Sequence, residues 1–283
     1  MKPPDGPAVG PRAARRFARP PLAWLAWAAA VLAVAWLGAE RAGAQATAPA
    51  DPRRSGFDGM VASTQAMQRD DTLNPAMLWV AEGEAWWQRP AGRSQRSCAS
   101  CHGEAATAMK GVAVRYPAFD AGLGKPISLQ QRIQQCRQVQ QQAEPWRAES
   151  QELLGMESYV ALQSRGLPLA PPDDPRLAEA RTRGERLFSQ RIGQLDLSCA
   201  QCHDQRAGGR LAGNPIPQGH PTGYPIYRLE WQAVGSLQRR LRGCMSGVRA
   251  EPFAYSAQEL VDLELYLVQR ARGMPLETPA VRP

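Results

Sequence analysis

The chain has 283 residues, of which 43% are hydrophobic, and a net charge of +8, a composition that is ordinary for a globular protein and excludes a disordered one. It contains no helix-turn-helix, zinc-finger or RNA-binding signature, so we expect no nucleic-acid partner. The length leaves room for two small domains after a leader segment.

The first predicted element is a secretory signal. Basic residues between positions 12 and 19 precede the apolar run from Leu22 to Ala39, and small residues from Ala42 to Ala44 follow it as a cleavage site. We predict residues 1–44 as a signal peptide, whose removal takes away six basic and two acidic residues and lowers the net charge from +8 to +4. The alternative is a retained membrane anchor, because roughly 18 apolar residues lie at the lower limit for spanning a bilayer.

Export predicts a periplasmic location, with no stable membrane association after cleavage. That compartment is oxidising, so the six cysteines must be divided between disulfides, cofactor attachment and free thiols.

The rest of the chain repeats itself. "GEAWWQ" from Gly83 and "SCASCH" from Ser97 recur 101 residues later as "GERLFS" and "SCAQCH". "LQQRIQQC" from Leu129 recurs 108 residues later as "LQRRLRGC", and the segment from Gln151 recurs 107 residues later. Self-similarity in a fixed order over this length predicts a duplicated globular domain.

Each copy shows helical periodicity and few alternating β-branched runs, so we predict a mostly α-helical fold with long loops, such as the glycine- and proline-rich residues 206–225. The predicted domains span residues 70–168 and 177–283. The proline- and aspartate-rich segment from Leu167 to Arg176 joins them.

Several helix starts and buried faces can be predicted. In the first copy, Asn74 and Pro75 are typical of a helix start, and Ser128 of an N-cap. The spacing after Ser128 predicts one buried face with four members, which are Leu129, Ile133, Cys136 and Val139.

The second copy repeats this pattern. Leu237, Leu241 and Cys244 have the same spacing, so Cys244 should face the same way as Cys136. Ser256 and Glu259 form the pattern of a capping box for the last helix. Its inward residues are predicted to be Leu260, Leu263 and Leu267, matching Leu153, Met156 and Val160 in the first copy.

Two CxxCH motifs predict two covalently bound c-type haems. In this motif two thiols attach the haem vinyl groups and the histidine is the proximal iron ligand. The residues are Cys98, Cys101 and His102 in the first copy and Cys199, Cys202 and His203 in the second. A CxxC redox pair or a zinc site is the alternative, but the further ligands that a zinc site needs are missing.

Each iron needs a sixth ligand. Met274 is far enough beyond His203 to be considered, but its counterpart in the first copy is Leu167, which cannot ligate. Cys136 and Cys244 are the candidates at matching places. A disulfide between them, or a buried unreactive thiol, remains open.

Arginines surround Cys244. Arg240 lies four residues before it, on the same helix face, and Arg249 five residues after it. Positive charge stabilises a thiolate and attracts anions, although a solvated helix face is the simpler explanation of such a cluster.

Other conspicuous side chains are assigned no chemical role. We interpret His220 as a loop histidine. Trp86, Trp87 and Phe188 lie on predicted helix faces, and we expect them to pack in the core or against haem.

With two CxxCH motifs, one cysteine at matching helical depth in each copy and "RGCMSGVRAEPF" around Cys244, the chain resembles the SoxA family, the dihaem subunits of the SoxAX cytochromes of sulfur-oxidising bacteria. The resemblance covers residues 70–275. It implies a fold of two tandem cytochrome c-like domains. It also implies that His102 and Cys136 ligate the first iron and that His203 and Cys244, the latter as a persulfide, ligate the second.

The resemblance further implies an activity and partners. The activity is that of an L-cysteine S-thiosulfotransferase, which couples thiosulfate oxidatively to a cysteine of a SoxYZ-like carrier protein while electrons pass to cytochrome c. Arg240 matches the arginine that holds the sulfonate oxygens in the family. Independently of the resemblance, Arg249 is a second candidate, because a further arginine near Cys244 can help to neutralise a small dianion. A SoxX-like monohaem cytochrome would complete a heterodimer.

Two other functions remain open. The chain could be a periplasmic dihaem electron carrier without sulfur-bond chemistry, whose arginines dock an acidic redox partner. It could also be an assembly subunit that haem only stabilises.

Overall fold

The structure is a computed structural model that describes residues 51–211 and 213–283. The predicted signal peptide, residues 1–44, lies outside the described residues. Residues Arg53–Pro283 form one compact unit. Within the described ranges no helix is long and apolar enough to cross a membrane.

The first copy consists of helices around a short hairpin. Its helices are α1 (Ala62–Arg69), α2 (Met77–Gln88), α3 (Cys98–His102), α4 (Ala105–Ala108), a 3-10 turn (Ala113–Arg115), α5 (Leu129–Gln135), a π-helical turn (Cys136–Gln140) and α6 (Gln151–Leu162). Its strands are β1 (Ala118–Asp120) and β2 (Lys125–Ile127), which pair antiparallel.

The second copy follows the same order. Its helices are a 3-10 turn (Pro175–Leu177), α7 (Ala178–Ser189), α8 (Cys199–His203), α9 (Leu237–Gly247) and α10 (Gln258–Arg270). Its strands are β3 (Arg210–Leu211), β4 (Asn214–Pro215), β5 (Ile226–Arg228), β6 (Ala233–Gly235) and β7 (Ala280–Arg282). Strand β5 pairs antiparallel with β6 and parallel with β7, so the hairpin of the first copy becomes a three-stranded sheet in the second.

Each copy has its own core between two long helices. The predicted inward residues of α6 and α10 are confirmed, because all six are at most 4% exposed: Leu153, Met156, Val160, Leu260, Leu263 and Leu267. Helix α6 packs on α2 and helix α10 on α7, which repeats one arrangement twice.

The two copies are joined where their helix pairs end. Leu169 N donates to Met274 O (2.8 Å) and Leu276 N donates to Leu167 O (2.9 Å). The Met274 side chain is 7% exposed and packs with Leu169 and Val268. Met274 therefore belongs to the core that the two copies share, and the structure does not bear out its candidacy as a haem ligand.

The predicted helix after Asn74 begins later than expected. It starts at Met77, and Asn74 Oδ1 accepts a hydrogen bond from Ala76 N at 3.0 Å. Asn74 Nδ2 also donates to Pro279 O (2.9 Å), so this residue ties the helix start to the end of the chain. The assignment of Pro75 to the first helical position was wrong by two residues.

The predicted cap of the last helix was also wrong. Ser256 has a φ of +65° and lies outside the helix, which begins at Gln258 without a side-chain cap. The backbone N–H of Ser256 donates to Gln238 Oε1 (2.7 Å) on helix α9. A contact between helices therefore replaces the local capping box.

Ser128 caps α5 as predicted, in a capping box with Gln131. The buried face ends sooner than the periodicity indicated, because Val139 is 62% exposed. The π-helical turn from Cys136 to Gln140 inserts an extra residue per turn, which rotates Val139 off the buried face.

Candidate functional site

Both CxxCH motifs form single helical turns that are fixed by a preceding serine. Ser97 Oγ accepts from Ser100 N (3.0 Å), and Ser198 Oγ accepts from Gln201 N (3.2 Å). Two cysteines and a histidine at positions i, i+3 and i+4 of one turn project from the same face. This is the geometry that thioether attachment and proximal ligation of one haem require.

His203 is oriented as an iron ligand. Its Nδ1 lies 2.7 Å from Pro217 O, which places the proton on Nδ1 and leaves Nε2 free to bind a metal. Gly219 lets the backbone approach the ring, since a Cβ there would be 3.2 Å from His203 Cγ. Burial lowers the pKa of His203 and favours the neutral imidazole that ligates iron. The residues of the second copy thus fit a haem.

His102 in the first copy lies beside Trp87. Their ring centroids are 5.8 Å apart, and Trp87 Nε1 donates to Gly103 O (3.0 Å). Trp87 and Phe188 are each 2% exposed, and Phe188 packs on Tyr266 at 5.4 Å. The prediction of core packing is confirmed for Trp87 and Phe188. Trp86 is only half-buried and packs on Trp146, with the ring centroids 5.5 Å apart.

The structure brings each candidate cysteine ligand to its own CxxCH motif. Burial raises the pKa of Cys98 to about 11, and the neighbouring Cys136 adds to the effect. Burial likewise raises the pKa of Cys199 to about 11, and the neighbouring Cys244 adds to the effect. All six cysteines are free, so the alternative of a disulfide between Cys136 and Cys244 does not hold.

Arg240 is the arginine of helix α9 whose charge reaches the second motif. Burial lowers the pKa of His203 most, and the positive charge of Arg240 lowers it further, while the hydrogen bond to Pro217 O raises it. The other arginines of α9 are engaged elsewhere: Arg239 lies over the Trp231 ring (4.3 Å) and Arg242 over the Tyr255 ring (4.4 Å).

The position of Arg249 does not support it as a second anion-binding residue. It is exposed, has a φ of +57°, and its carbonyl oxygen accepts from Gln194 N at 3.3 Å. The chain turns away from the site immediately after helix α9, which carries Arg249 to the surface.

Two residues near Cys244 were not found from the sequence. Burial raises the pKa of Tyr224 to about 12. The next largest effects on this pKa come from Arg240, which lowers it, and from Cys244, which raises it. Arg228 is 8% exposed. Its pKa is lowered by burial and by Arg240, and raised by Tyr224 and Cys244. The repeat was the available signal, because both residues lie 108 positions after residues that surround Arg132 in the first copy.

The model of the SoxA/TsdA cytochrome c domain family matches the chain twice, at residues 82–169 and 183–276. This double match confirms the predicted mostly α-helical fold with two tandem cytochrome c-like domains.

Relatives that match most of the chain have the same name, L-cysteine S-thiosulfotransferase subunit SoxA. The L-cysteine S-thiosulfotransferase subunit SoxA of Pseudaminobacter salicylatoxidans is 38% identical, covering 86% of this chain and 85% of the relative. That of Rhodovulum sulfidophilum is 35% identical, covering 82% and 81%. The crystal structure of SoxXA from P. pantotrophus superposes with a TM-score of 0.79 at 33% identity, covering 82% of this chain and 87% of that chain.

Proposed function

The chain belongs to the SoxA/TsdA cytochrome c family, and on that premise we propose that it is a haem c subunit of an L-cysteine S-thiosulfotransferase that acts in thiosulfate oxidation. The reaction is the oxidative coupling of thiosulfate to a cysteine of a SoxYZ-like carrier protein. The observation that carries the proposal is the meeting of Cys244, Cys199 and the charge of Arg240 at the second CxxCH motif.

The proposed protein holds two covalently attached haems. The four attaching thiols are those of Cys98, Cys101, Cys199 and Cys202. His102 and Cys136 would hold the first iron, and His203 and Cys244 would hold the second. The Nδ1 contact of His203 and the placement of one further cysteine at each motif support this assignment.

The groups around Cys244 bind the substrate. Arg240 holds the sulfonate oxygens of thiosulfate by charge-assisted hydrogen bonds. The Tyr224 hydroxyl adds a donor, since its raised pKa keeps it protonated. Cys244 lies beside the bound anion and supplies the sulfur atom for covalent sulfur chemistry.

The coupling step conserves atoms and charge. An S–S bond forms between the outer sulfur of thiosulfate and the carrier cysteine sulfur, the carrier thiol loses its proton, and two electrons leave. The haem that His203 would hold could supply a one-electron acceptor, so the two electrons would leave one at a time, with cytochrome c as the final acceptor.

The remaining assignments rest on the family. We assign residues 1–44 to a cleaved signal peptide, a periplasmic location to the mature chain, and the two haem-binding domains to residues 70–168 and 177–283. A SoxX-like monohaem cytochrome is the proposed partner in a heterodimer, supported by the likeness to SoxXA from P. pantotrophus.

The first test is the mass of the purified holoprotein, followed by peptide mass spectrometry of the segment with Cys244. We expect two haems and an added sulfur of about 32 Da on Cys244 that a reductant removes. In an assay with thiosulfate, a SoxYZ-like carrier and cytochrome c, Cys244→Ala should abolish coupling.

The result also separates the alternatives. Wild-type protein that exchanges electrons with cytochrome c but never couples thiosulfate would be a dihaem electron carrier. If Cys244→Ala couples thiosulfate as fast as the wild type, Cys244 takes no part in the reaction, and the haem beside it would only stabilise an assembly subunit.

A further inference from the structure

The second copy carries an arginine where the first copy carries a carboxylate. Asp120 is the last residue of β1 and Arg228 the last residue of β5, 108 positions later. Their ladder partners, Lys125 and Ala233, are also 108 positions apart. The two side chains therefore start from equivalent points of the fold.

The helix arginines that these residues face are equivalent as well. Arg132 is the fourth residue of α5 and Arg240 the fourth residue of α9, and each lies four residues before its cysteine. The hairpin and the helix thus recur as a unit, so the exchange of Asp120 for Arg228 changes the charge at an otherwise repeated place.

In the first copy the carboxylate neutralises the helix arginine. Arg132 Nη2 lies 2.8 Å from Asp120 Oδ2, and Arg132 Nε donates to the Tyr116 hydroxyl oxygen at 3.2 Å. Gln135 Oε1 accepts a further hydrogen bond from the same guanidinium. Asp120 thus neutralises the Arg132 guanidinium, and Tyr116 and Gln135 accept further hydrogen bonds from it, so this arginine is a poor partner for an external anion.

In the second copy Arg228 takes the place of that carboxylate. Burial and the positive charge of Arg240 lower the pKa of Arg228, while Glu230, Tyr224 and Cys244 raise it. The Arg228 ion pair with Glu230 (2.7 Å) is at the surface, because the Glu230 side chain is 63% exposed and hence screened by water.

The other contacts of Arg228 hold its position. Its Nε donates to Pro283 O (2.8 Å), and its guanidinium carbon lies 5.1 Å from the centre of the Trp231 ring. The nearby Arg282 is already paired with Glu277. Arg228 thus stands where Asp120 stands in the first copy, at the place that faces the helix arginine, which is Arg240 here. Burial and the positive charge of Arg240 lower the pKa of Arg228.

We propose that Arg228 is a second anion-binding residue, which together with Arg240 makes the site beside Cys244 selective for a sulfur-containing dianion. Two guanidinium groups that repel each other are stabilised most by a ligand with two negative charges, and thiosulfate is such a ligand. The equivalent place in the first copy, closed by Asp120, binds no substrate anion. This inference rests on the proposed function and specifies its substrate class.

The test is calorimetric titration of the oxidised holoprotein with sodium thiosulfate in the absence of carrier and cytochrome c. Arg228→Gln should weaken binding about 10- to 100-fold, the loss expected for one charged hydrogen-bonding partner. Arg228→Asp should bind more weakly still, because the new carboxylate would pair with Arg240 as Asp120 does with Arg132. The haem absorption spectrum should be unchanged in both.

Arg239→Gln is the matched control, since it removes the same charge from helix α9 at a residue that lies over Trp231. It should bind thiosulfate as the wild type does. Wild-type affinity in Arg228→Gln, or equal losses in Arg228→Gln and Arg239→Gln, would overturn the proposal.

A competition experiment on the wild type keeps the proposal testable if the Arg228 variants do not fold. Sulfate should displace thiosulfate at least about tenfold more effectively than chloride at equal ionic strength. Equal competition would overturn the two-arginine site. Tight binding that depends on Arg228, in a protein that never couples thiosulfate to a carrier, would uphold the site and contradict the proposed function instead.

Discussion

Gly83 and Gly155 touch where helices α2 and α6 cross. A Cβ built on Gly83 would stand 2.1 Å from the carbonyl oxygen of Gly155, far inside contact distance. The second copy repeats the relationship, since a Cβ on Gly184 would stand 2.0 Å from the carbonyl oxygen of Asp262. Backbone-to-backbone packing of this kind sets how closely the helix pairs of both cores approach.

Gly83→Ala should therefore destabilise the first domain. The obstacle is backbone, which cannot rotate away, so we expect the free energy of unfolding to fall by about 3 kcal/mol, the upper range for overpacking. Thermal unfolding followed by circular dichroism measures the change. Gly247→Ala is the control, because open space surrounds that position. Equal stability of Gly83→Ala and wild type would show that the helices separate at no cost.

Met274→Leu should leave the haem spectrum and the reduction potential unchanged. The Met274 side chain lies in the core shared by the two copies, and the exchange conserves volume, so the stability should change by less than about 1.5 kcal/mol. Spectroscopy and redox titration of the holoprotein check this. A shifted potential would restore Met274 as a candidate iron ligand.

Features with a local or repeated signature could be predicted from the sequence. The CxxCH turns, the Ser128 cap and the inward leucines of α10 all depend on spacings within a few turns of helix. The duplication could be recognised because its segments recur in one order.

Features that depend on contacts between distant segments could not be predicted. Ser256 matches a capping pattern, yet a hydrogen bond to Gln238 holds it outside the helix. Arg249 is close to Cys244 in sequence but exposed at the surface, whereas Arg228, 16 residues before that cysteine, is buried near it. Distance along the chain was a poor guide to the charges around the thiol.

Arg132 and Arg240 form a matched pair of positions with different expected roles. Arg132→Ala leaves the buried Asp120 carboxylate unpaired, so the free energy of unfolding should fall by about 2 kcal/mol while the KM for thiosulfate stays unchanged. Urea unfolding and the coupling assay measure the two quantities.

Arg240→Ala should behave in the opposite way. Loss of the sulfonate contact should raise the KM for thiosulfate about 10- to 100-fold and leave the low-spin haem spectrum intact. An equal loss of the low-spin signal would mean that Arg240 supports the ligand helix rather than the substrate.

Two glutamates lie at equivalent places between the copies. Glu157 accepts a hydrogen bond from Gln130 Nε2 (2.7 Å), and Gln238 hydrogen-bonds Glu264 in the same way. The pKa of each is raised to about 8, chiefly by burial. The charge of Glu149 contributes to the rise for Glu157, and the charges of Glu157 and then Glu149 contribute to it for Glu264. Glu149 itself is hydrogen-bonded to Ser236.

The free energy of unfolding should consequently fall as the pH rises from about 4.5 to 8, where the folded protein binds more protons than the unfolded chain. Each glutamate contributes a slope of up to about 1.4 kcal/mol per pH unit. Glu264→Gln removes its share, so it should stabilise the protein at pH 8 and change little at pH 5. Urea midpoints across this range measure the effect, with the exposed Glu259→Gln as control. The same pH dependence in Glu264→Gln and wild type would show that Glu264 is ionised in the folded state, because an ionised carboxylate binds no extra proton on folding.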